Sequence, residues 1–389
     1  MSAIVERDKK YIAGTYGRFP VSIVSGKGSI ATDEEGKEYI DLGSGIGVTA
    51  FGYCDEVWQA AVTEQIGKVQ HTSNLYYTEP CTKLAQALCE RTGMSKVFFS
   101  NSGAEANECA IKVARKYAAD KYGADRYTIV TLTNSFHGRT LTTLAATGQA
   151  HYHEQFQPLT GGFVAVDAGD LATLERIHAS RPVAAVLMEC VQGEGGVLPM
   201  EPSFVQAVEA WCRKQDALFM VDEVQTGNGR SGQLYAYMNF GVKPDVVSTA
   251  KGLAGGLPLG ATLLGEKAQN VLGIGDHGST FGANPVCCAA ALSVLGRIDE
   301  TLLADVRAKS EYLFDTFTGA DGIEDVRGMG LMLGLKTTRP AADVVKDCME
   351  RGVLCLTAKD RVRLLPALNT PMDVLKTAAE TIKAVCAER

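Results

Sequence analysis

The strongest constraint on this chain is an alternation. From about residue 70 to 275, short apolar runs take turns with longer stretches of helical periodicity. That is the pattern of a mostly parallel α/β sheet covered by helices. The spacing predicts helices over Lys83–Thr92 and Ala104–Lys121, separated by a strand at Lys96–Phe99, and further strands at Tyr127–Leu132 and Val183–Met188. Ser203 opens another helix, with Gln206 three residues later at the spacing of a capping box. Two more apolar runs end at polar residues that have no place in a core. Leu218–Val221 delivers Asp222, and Val246–Val247 leads to Lys251. Ionisable groups at strand C-termini are what an open α/β sheet presents to a ligand. A lysine able to form a Schiff base, beside an acid able to face a pyridine nitrogen, suggests pyridoxal phosphate.

The flanks have a different character. Gly26–Ile30 and Glu38–Leu42, around the turn Asp33–Gly36, read as a hairpin, and Glu56–Gly67 as a helix. Towards the C-terminus come helices near Cys287–Ile298 and Thr301–Phe317, then VRGMGLMLGL, which reads as one Gly-broken strand. Helix Ala341–Arg351 ends at Gly352, strands follow at Val353–Leu356 and Arg361–Leu365, and the last helix has Thr370 as its cap and Pro371 at its first position. A chain of 389 residues is long for one core. The expected division is an N-terminal arm and small sheet over 1–60, a cofactor-binding α/β domain over 61–275, and a small α+β domain over 276–389 against which the N-terminal part packs.

Composition narrows the partners. Lys and Arg number 38 against 45 Asp and Glu, a net charge of −7 with no basic run, which argues against nucleic acid or an anionic membrane. No apolar run approaches the roughly 18 residues of a membrane span, and the first residues carry no apolar leader. The eleven cysteines are scattered without framework spacing and read as reduced thiols, so a cytoplasmic protein is expected.

Four further motifs bear on chemistry. In FFSNSGAEANECAIK a strand, a small polar turn and a long helix follow one another, so free N–H groups and the helix dipole make a phosphate site at Ser102–Ala104. In NSFHGRT, Phe136 offers a ring to stack on a planar cofactor and Arg139 a fork for a carboxylate, while His137 reads as structural. QGEGG places Gln192 and Glu194 after the strand Val183–Met188, and RVRLLP carries Arg363 on a late strand. Gln225, three residues after Asp222, can reach a ring oxygen. Among the histidines, HYH at 151–153 comes nearest to a metal-ligand pattern and does not make one. Each residue alone has an ordinary structural explanation; the set in this order does not.

With HTSNLYYTEP, FFSNSGAEANECAIK, SFHGRT, QGEGGV, DEVQTGNGRSG, PDVVSTAKGL, HGSTFGANP and RLLP, the chain resembles the class III, fold type I pyridoxal-phosphate aminotransferases from about Tyr16 to Leu368. The resemblance implies that Lys251 holds the cofactor and shuttles a proton, and that Asp222 faces the ring nitrogen. Gln225 would contact the 3-oxygen, with Glu223 beside it in the cofactor site. Ser102, Gly103 and Ala104 would cup the phosphate, and Phe136 would pack on the ring. Thr280 would bind the phosphate of the neighbouring subunit in a homodimer with interfacial active sites, and Ser279 would approach the substrate. Arg139 would grip the donor carboxylate and Arg363 the α-carboxylate of glutamate or 2-oxoglutarate, with Glu194 neutralising Arg363 in the other half-reaction. The implied reaction is transamination of N2-acetyl-L-ornithine with 2-oxoglutarate, in arginine biosynthesis. Alternatives are the same fold on succinylornithine, succinyl-diaminopimelate, ornithine or 4-aminobutyrate, or a cofactor-binding regulator without turnover. The chain departs from the family at Gly52–Glu56, GYCDE in place of G-H-x-H-P, at Pro366–Ala367, and at Ala283, where glycine is common.

Overall fold

A computed structural model describes residues 2–388. At its centre lies a seven-stranded sheet in the order Lys96–Ser100, Gly260–Leu264, Val246–Thr249, Leu218–Asp222, Val183–Met188, Thr128–Leu132, Phe163–Val166. Gly260–Leu264 runs antiparallel to both its neighbours; the other pairs are parallel. The inner strands read as unbroken apolar runs because both faces are covered, and every residue of Val183–Met188 and Leu218–Asp222 is buried. Alternation along one strand assigns the faces. Leu218 and Met220 join Ile111, Ala114 and Tyr117 of helix Gly103–Tyr122 on one side, while Phe219 and Val221 join Phe204, Val208 and Trp211 of helix Pro202–Gln215 on the other. Each of the Leu, Ile, Val, Met and Phe side chains among them contributes roughly 1.5–3 kcal/mol by burial.

The expected alternation is present. The strands Phe163–Val166 and Gly260–Leu264, and the helix Leu171–Ser180, complete it without having been anticipated. Some local expectations shift. Helix Pro202–Gln215 starts at its proline, which already has the helical φ, so Ser203 lies inside the first turn. Gln206 does not close a capping box; its amide donates to Phe240 O at 3.0 Å. Thr370 does not cap the last helix, Met372–Cys386, because its hydroxyl bonds Ala367 O and Ser29 Oγ, both at 2.8 Å.

The N-terminal hairpin is a three-stranded meander, Ile23–Lys27, Ile30–Asp33 and Glu38–Asp41, since Gly28 turns the chain inside the stretch read as one strand. A fourth strand, Val353–Leu354, joins it in parallel, pairing Val353 with Ile40. VRGMGLMLGL belongs to two strands, Ile323–Met329 and Met332–Thr337, folded back on each other at Gly330. Arg361–Leu364 lies in the same antiparallel sheet, between Met332–Thr337 and Leu356–Ala358. The register sets Arg363 opposite Gly334 on one side and Leu356 on the other. Ala283 has φ +62, a left-handed conformation that explains why glycine is usual there.

Candidate active site

The C-terminal edge of the central sheet opens into a cavity of about 460 Å³, within the range of small-molecule sites. Ser102, Gly103, Ala104, Phe136, Arg139, Glu194, Asp222, Gln225 and Lys251 all line it. Residues from five separate segments thus meet because each lies at the C-terminal end of a strand of the same sheet or in the connection that leaves it.

Asp222 is 4 % exposed and firmly held. Its Oδ1 accepts from Val224 N–H at 3.0 Å, and its Oδ2 contacts Asn107 Nδ2 at 2.7 Å and His137 Nδ1 at 2.8 Å. Asn107 is fixed in turn by donating to His137 O and accepting from Ser248 Oγ at 2.6 Å. Asn107 stands on helix Gly103–Tyr122, the helix that covers the Leu218 and Met220 face, so strand alternation alone aims Asp222 at it.

At the start of that helix Ser102 is the N-cap, and Glu105 reaches back beyond it to Asn101. Ser102 Oγ accepts from Glu105 N–H, and Glu105 Oε2 from Asn101 N–H at 2.8 Å. The N–H groups of Gly103 and Ala104 have no partner among the described residues. A Cβ on Gly103 would come within 2.6 Å of Val224 Cγ1, so glycine lets the Asp222 loop lie against this turn.

Lys251 follows the strand Val246–Thr249 at a left-handed φ of +46. That conformation costs a non-glycine residue about 1–2 kcal/mol and is tolerated where the surroundings impose it. Asn228 contributes, donating from Nδ2 to Ala250 O and Thr249 Oγ1, both at 3.1 Å. Desolvation holds the Lys251 amine below its ordinary pKa, and Arg363 pushes the same way against the opposing pull of Glu194. A lysine depressed in this manner is more readily neutral and nucleophilic.

Behind the cavity wall at Glu194 and Gln225 stands an ion pair. Arg363 Nη1 contacts Glu194 Oε1 at 2.5 Å and Gln225 Oε1 at 3.2 Å, while Gln225 Nε2 donates to Glu194 at 3.2 Å. The Arg363 side chain is 4 % exposed and that of Glu194 is 26 % exposed. Burial raises the Glu194 pKa, but the Arg363 charge and hydrogen bond outweigh it, and the net shift is downward. The Arg363 Nε is buried without a partner among the described residues, a donor left for an incoming oxygen. Arg139, by contrast, is exposed and in no ion pair among the described residues; its guanidinium lies 4.1 Å from the Tyr152 ring centroid and 5.6 Å from that of Phe136.

Three expected residues lie elsewhere. Glu223, expected at the cofactor, is one step along the chain from Asp222 and therefore turns to the opposite face, where it accepts from Thr226 Oγ1, Ala236 N–H and Tyr237 N–H. Ser279 sits at the margin, its Oγ 3.0 Å from Asn101 Nδ2, and Thr280 is exposed outside the wall of this chain's cavity. Other residues went unnoticed in the sequence: Asn107, Val224 and Glu189, together with a direct bond from His137 to Asp222. Glu189 Oε1 accepts from Phe136 N–H and Oε2 from Gly193 N–H, tying together the loops that carry Phe136 and Glu194. Burial pushes its carboxyl up to about 7. Helical periodicity could have brought Asn107 forward, as a polar residue among the apolar ones of its helix face.

Comparison with known proteins gives the family. Residues 11–386 match the model of the family Aminotransferase class-III. The chain is 47% identical over 387 residues to the acetylornithine aminotransferase of Haemophilus ducreyi, with 99% of this chain and 98% of that protein covered. It is 41% identical over 397 residues to the succinylornithine transaminase of Yersinia pseudotuberculosis, covering 97% and 96%. The solved ornithine aminotransferase of Toxoplasma gondii, described with pyridoxal phosphate at partial occupancy in its active site, superposes with a TM-score of 0.93 at 30% identity, covering 99% and 94%. The chain belongs to the class-III aminotransferases. It has their fold type I architecture and is a pyridoxal-phosphate-dependent enzyme that passes an amino group from a donor to a keto acid. The residues present fit that cofactor: unpartnered N–H groups at a helix N-terminus for the phosphate, a buried carboxylate for the ring nitrogen, and a desolvated lysine lining the same cavity.

Proposed function

We propose that this chain transfers the ω-amino group of N2-acetyl-L-ornithine to 2-oxoglutarate, giving N-acetyl-L-glutamate 5-semialdehyde and L-glutamate, a step of arginine biosynthesis. One observation carries the reading: two arginines stand in opposite states, Arg139 on the cavity wall and unpaired among the described residues, and Arg363 behind that wall, covered by Glu194. A donor that reacts through an amine far from its carboxylate needs the first arginine and not the second. Glutamate, whose amine is next to its carboxylate, needs the second uncovered.

When bound, pyridoxal phosphate supplies the electron sink for the reacting carbon. Gly103 and Ala104 N–H groups hold the phosphate, and Phe136 and Val224 give the ring apolar wall. Asp222 keeps the proton on the ring nitrogen, with Asn107 and His137 orienting its carboxylate. Lys251 Nζ moves the proton at the reacting carbon. Glu194 swings between neutralising Arg363 and releasing it.

We propose further that the active unit is a homodimer in which Thr280 reaches the partner's phosphate site. In support, Thr280 and Phe281 are exposed beside a second exposed segment, Leu75–Tyr77, to which Asn74 links them by bonds to Ser279 O and Gly282 O. Exposed apolar area of this kind marks an interface.

The test is a panel of donors with 2-oxoglutarate, following both half-reactions. N-acetylornithine should give the highest kcat/KM. The 41% identity to a succinylornithine transaminase makes succinylornithine the main competitor. Turnover of 4-aminobutyrate as fast as that of N-acetylornithine would sink the proposal. An Arg139→Lys change should raise KM for acylated donors more than for glutamate, because lysine cannot reproduce a bidentate grip.

A further inference from the structure

We propose that Tyr152 is a positioning residue for the donor-side grip, its ring forming the platform that fixes the Arg139 guanidinium in the orientation a carboxylate needs. This rests on the reading of Arg139 as the donor-carboxylate residue.

The guanidinium has no carboxylate beside it among the described residues, yet it is not loose. It lies 4.1 Å from the centroid of the Tyr152 ring, close enough for a strong cation–π contact, and 5.6 Å from Phe136. The two rings meet edge to face, 5.8 Å apart with 68° between their planes, so the Phe136 ring braces that of Tyr152 and the pair makes a corner beside the guanidinium. Tyr152 closes a single 3-10 turn, Ala150–Tyr152, pinned to the loop that presents Phe136. Gln149 Nε2 donates to Asn134 O at 3.3 Å and Ser135 O at 3.2 Å, and His153 Nε2 contacts Leu144 O at 2.9 Å. The His151 ring lies 3.9 Å from that of Tyr152. The segment HYH thus acts through its tyrosine.

The chemistry of the partner matters. A carboxylate partner would neutralise Arg139 and compete with the donor, as Glu194 does at Arg363. A ring face holds the cation and leaves all its N–H groups free. Arg139 therefore enters binding charged, unoccupied and with less side-chain freedom to lose.

The experiment measures binding of N-acetyl-L-norvaline, which has the acylated carboxylate end of the donor but no reactive amine, to the pyridoxal-phosphate-loaded enzyme by calorimetry. KM for N-acetylornithine and for 2-oxoglutarate is measured alongside. Tyr152→Leu should weaken N-acetylnorvaline binding by about tenfold, the scale of a well-placed cation–π contact, and raise KM for N-acetylornithine alike with kcat little changed. Tyr152→Phe, which keeps the ring, should match the parent, and Tyr152→Gln serves as a second non-aromatic variant should the leucine form fold poorly. In an Arg139→Ala background, Tyr152→Leu should have no further effect on N-acetylnorvaline. If Arg139→Ala weakens binding and both Tyr152→Leu and Tyr152→Gln leave it unchanged, the platform is wrong and the carboxylate grip stands. If Arg139→Ala itself changes nothing, the reading of Arg139 fails. Equal losses in Tyr152→Phe and Tyr152→Leu overturn the proposal in favour of the hydroxyl.

Discussion

The two acidic residues of the cavity, Asp222 and Glu194, are held in opposite ways. Asp222 has three protein hydrogen-bond partners across its two oxygens, from the helix Gly103–Tyr122, the Phe136 loop and its own turn, and is 4 % exposed. Glu194 directs one oxygen, Oε1, at both Arg363 and Gln225, and its side chain is 26 % exposed. The first carboxylate is over-determined and can do one thing. The second is held through one oxygen only, in a loop of glycines, and on the proposed reading it releases Arg363 in one half-reaction. An enzyme whose cofactor end is common to both half-reactions, and whose substrate end must accept two different molecules, needs this asymmetry. Preorganisation serves the step that never changes; a breakable ion pair serves the one that does.

Two substitutions put the asymmetry at risk, and their effects should differ in kind. On the proposed reading, Asp222→Asn removes the charge that would keep the ring nitrogen protonated. It should slow both half-reactions together, by about 10²–10³-fold, in the range seen when one preorganised electrostatic contact is lost. Stopped-flow spectra of each half-reaction check it, and slowing confined to one of them would show that Asp222 serves a substrate instead. Glu194→Gln should act on one half-reaction only. With Arg363 no longer neutralised, kcat/KM for the acylated donor should fall by about tenfold, the worth of a charge-assisted hydrogen bond. The value for glutamate should hold or rise. An equal fall for both would make Glu194 as fixed in function as Asp222 and remove the contrast.

The same contrast separates what could be read in the sequence from what could not. Asp222 and Lys251 were legible because an apolar run that ends in a charge marks a strand end at the binding edge. The phosphate turn was legible because a helix start leaves N–H groups free. Arg363 could not be placed by local pattern. It comes from a different sheet, and only the register of Arg361–Leu364 against Met332–Thr337 and the fold-back at Gly330 bring it to Glu194. Resemblance supplied that pairing; periodicity did not. Glu223 is not at the cavity because neighbours in sequence point to opposite faces of an extended chain, so closeness to Asp222 along the chain is not closeness in the site. His137 was undervalued for the opposite reason: its partner lies 85 residues away.

Glu223 also gives the mildest test, on stability rather than turnover, and extends the comparison to the far face of the same strand. Burial is the largest influence on its carboxyl, pushing the pKa up to about 7 from an ordinary 4.5, against hydrogen bonds from Thr226, Ala236 and Tyr237 that lower it. The folded chain then binds more protons at this residue than the unfolded chain between those two values. Its stabilising contribution is therefore complete below about pH 4.5 and is lost as pH rises through 7. Glu223→Gln keeps the shape but cannot titrate, and it places an amide where three donors converge. The variant should be less stable than the parent at pH 5, by about 1–3 kcal/mol, the cost of an unmet buried hydrogen bond. The gap should narrow towards pH 8, because only the parent loses stability over that interval. Glu189, raised by burial to the same region, titrates in both proteins and cancels in the difference. Urea unfolding of the two proteins at pH 5, 6.5 and 8 measures the gap directly. A gap that stays constant from pH 5 to 8 would mean that Glu223 is held as a carboxylate, so that its hydrogen bonds, rather than its burial, decide its state.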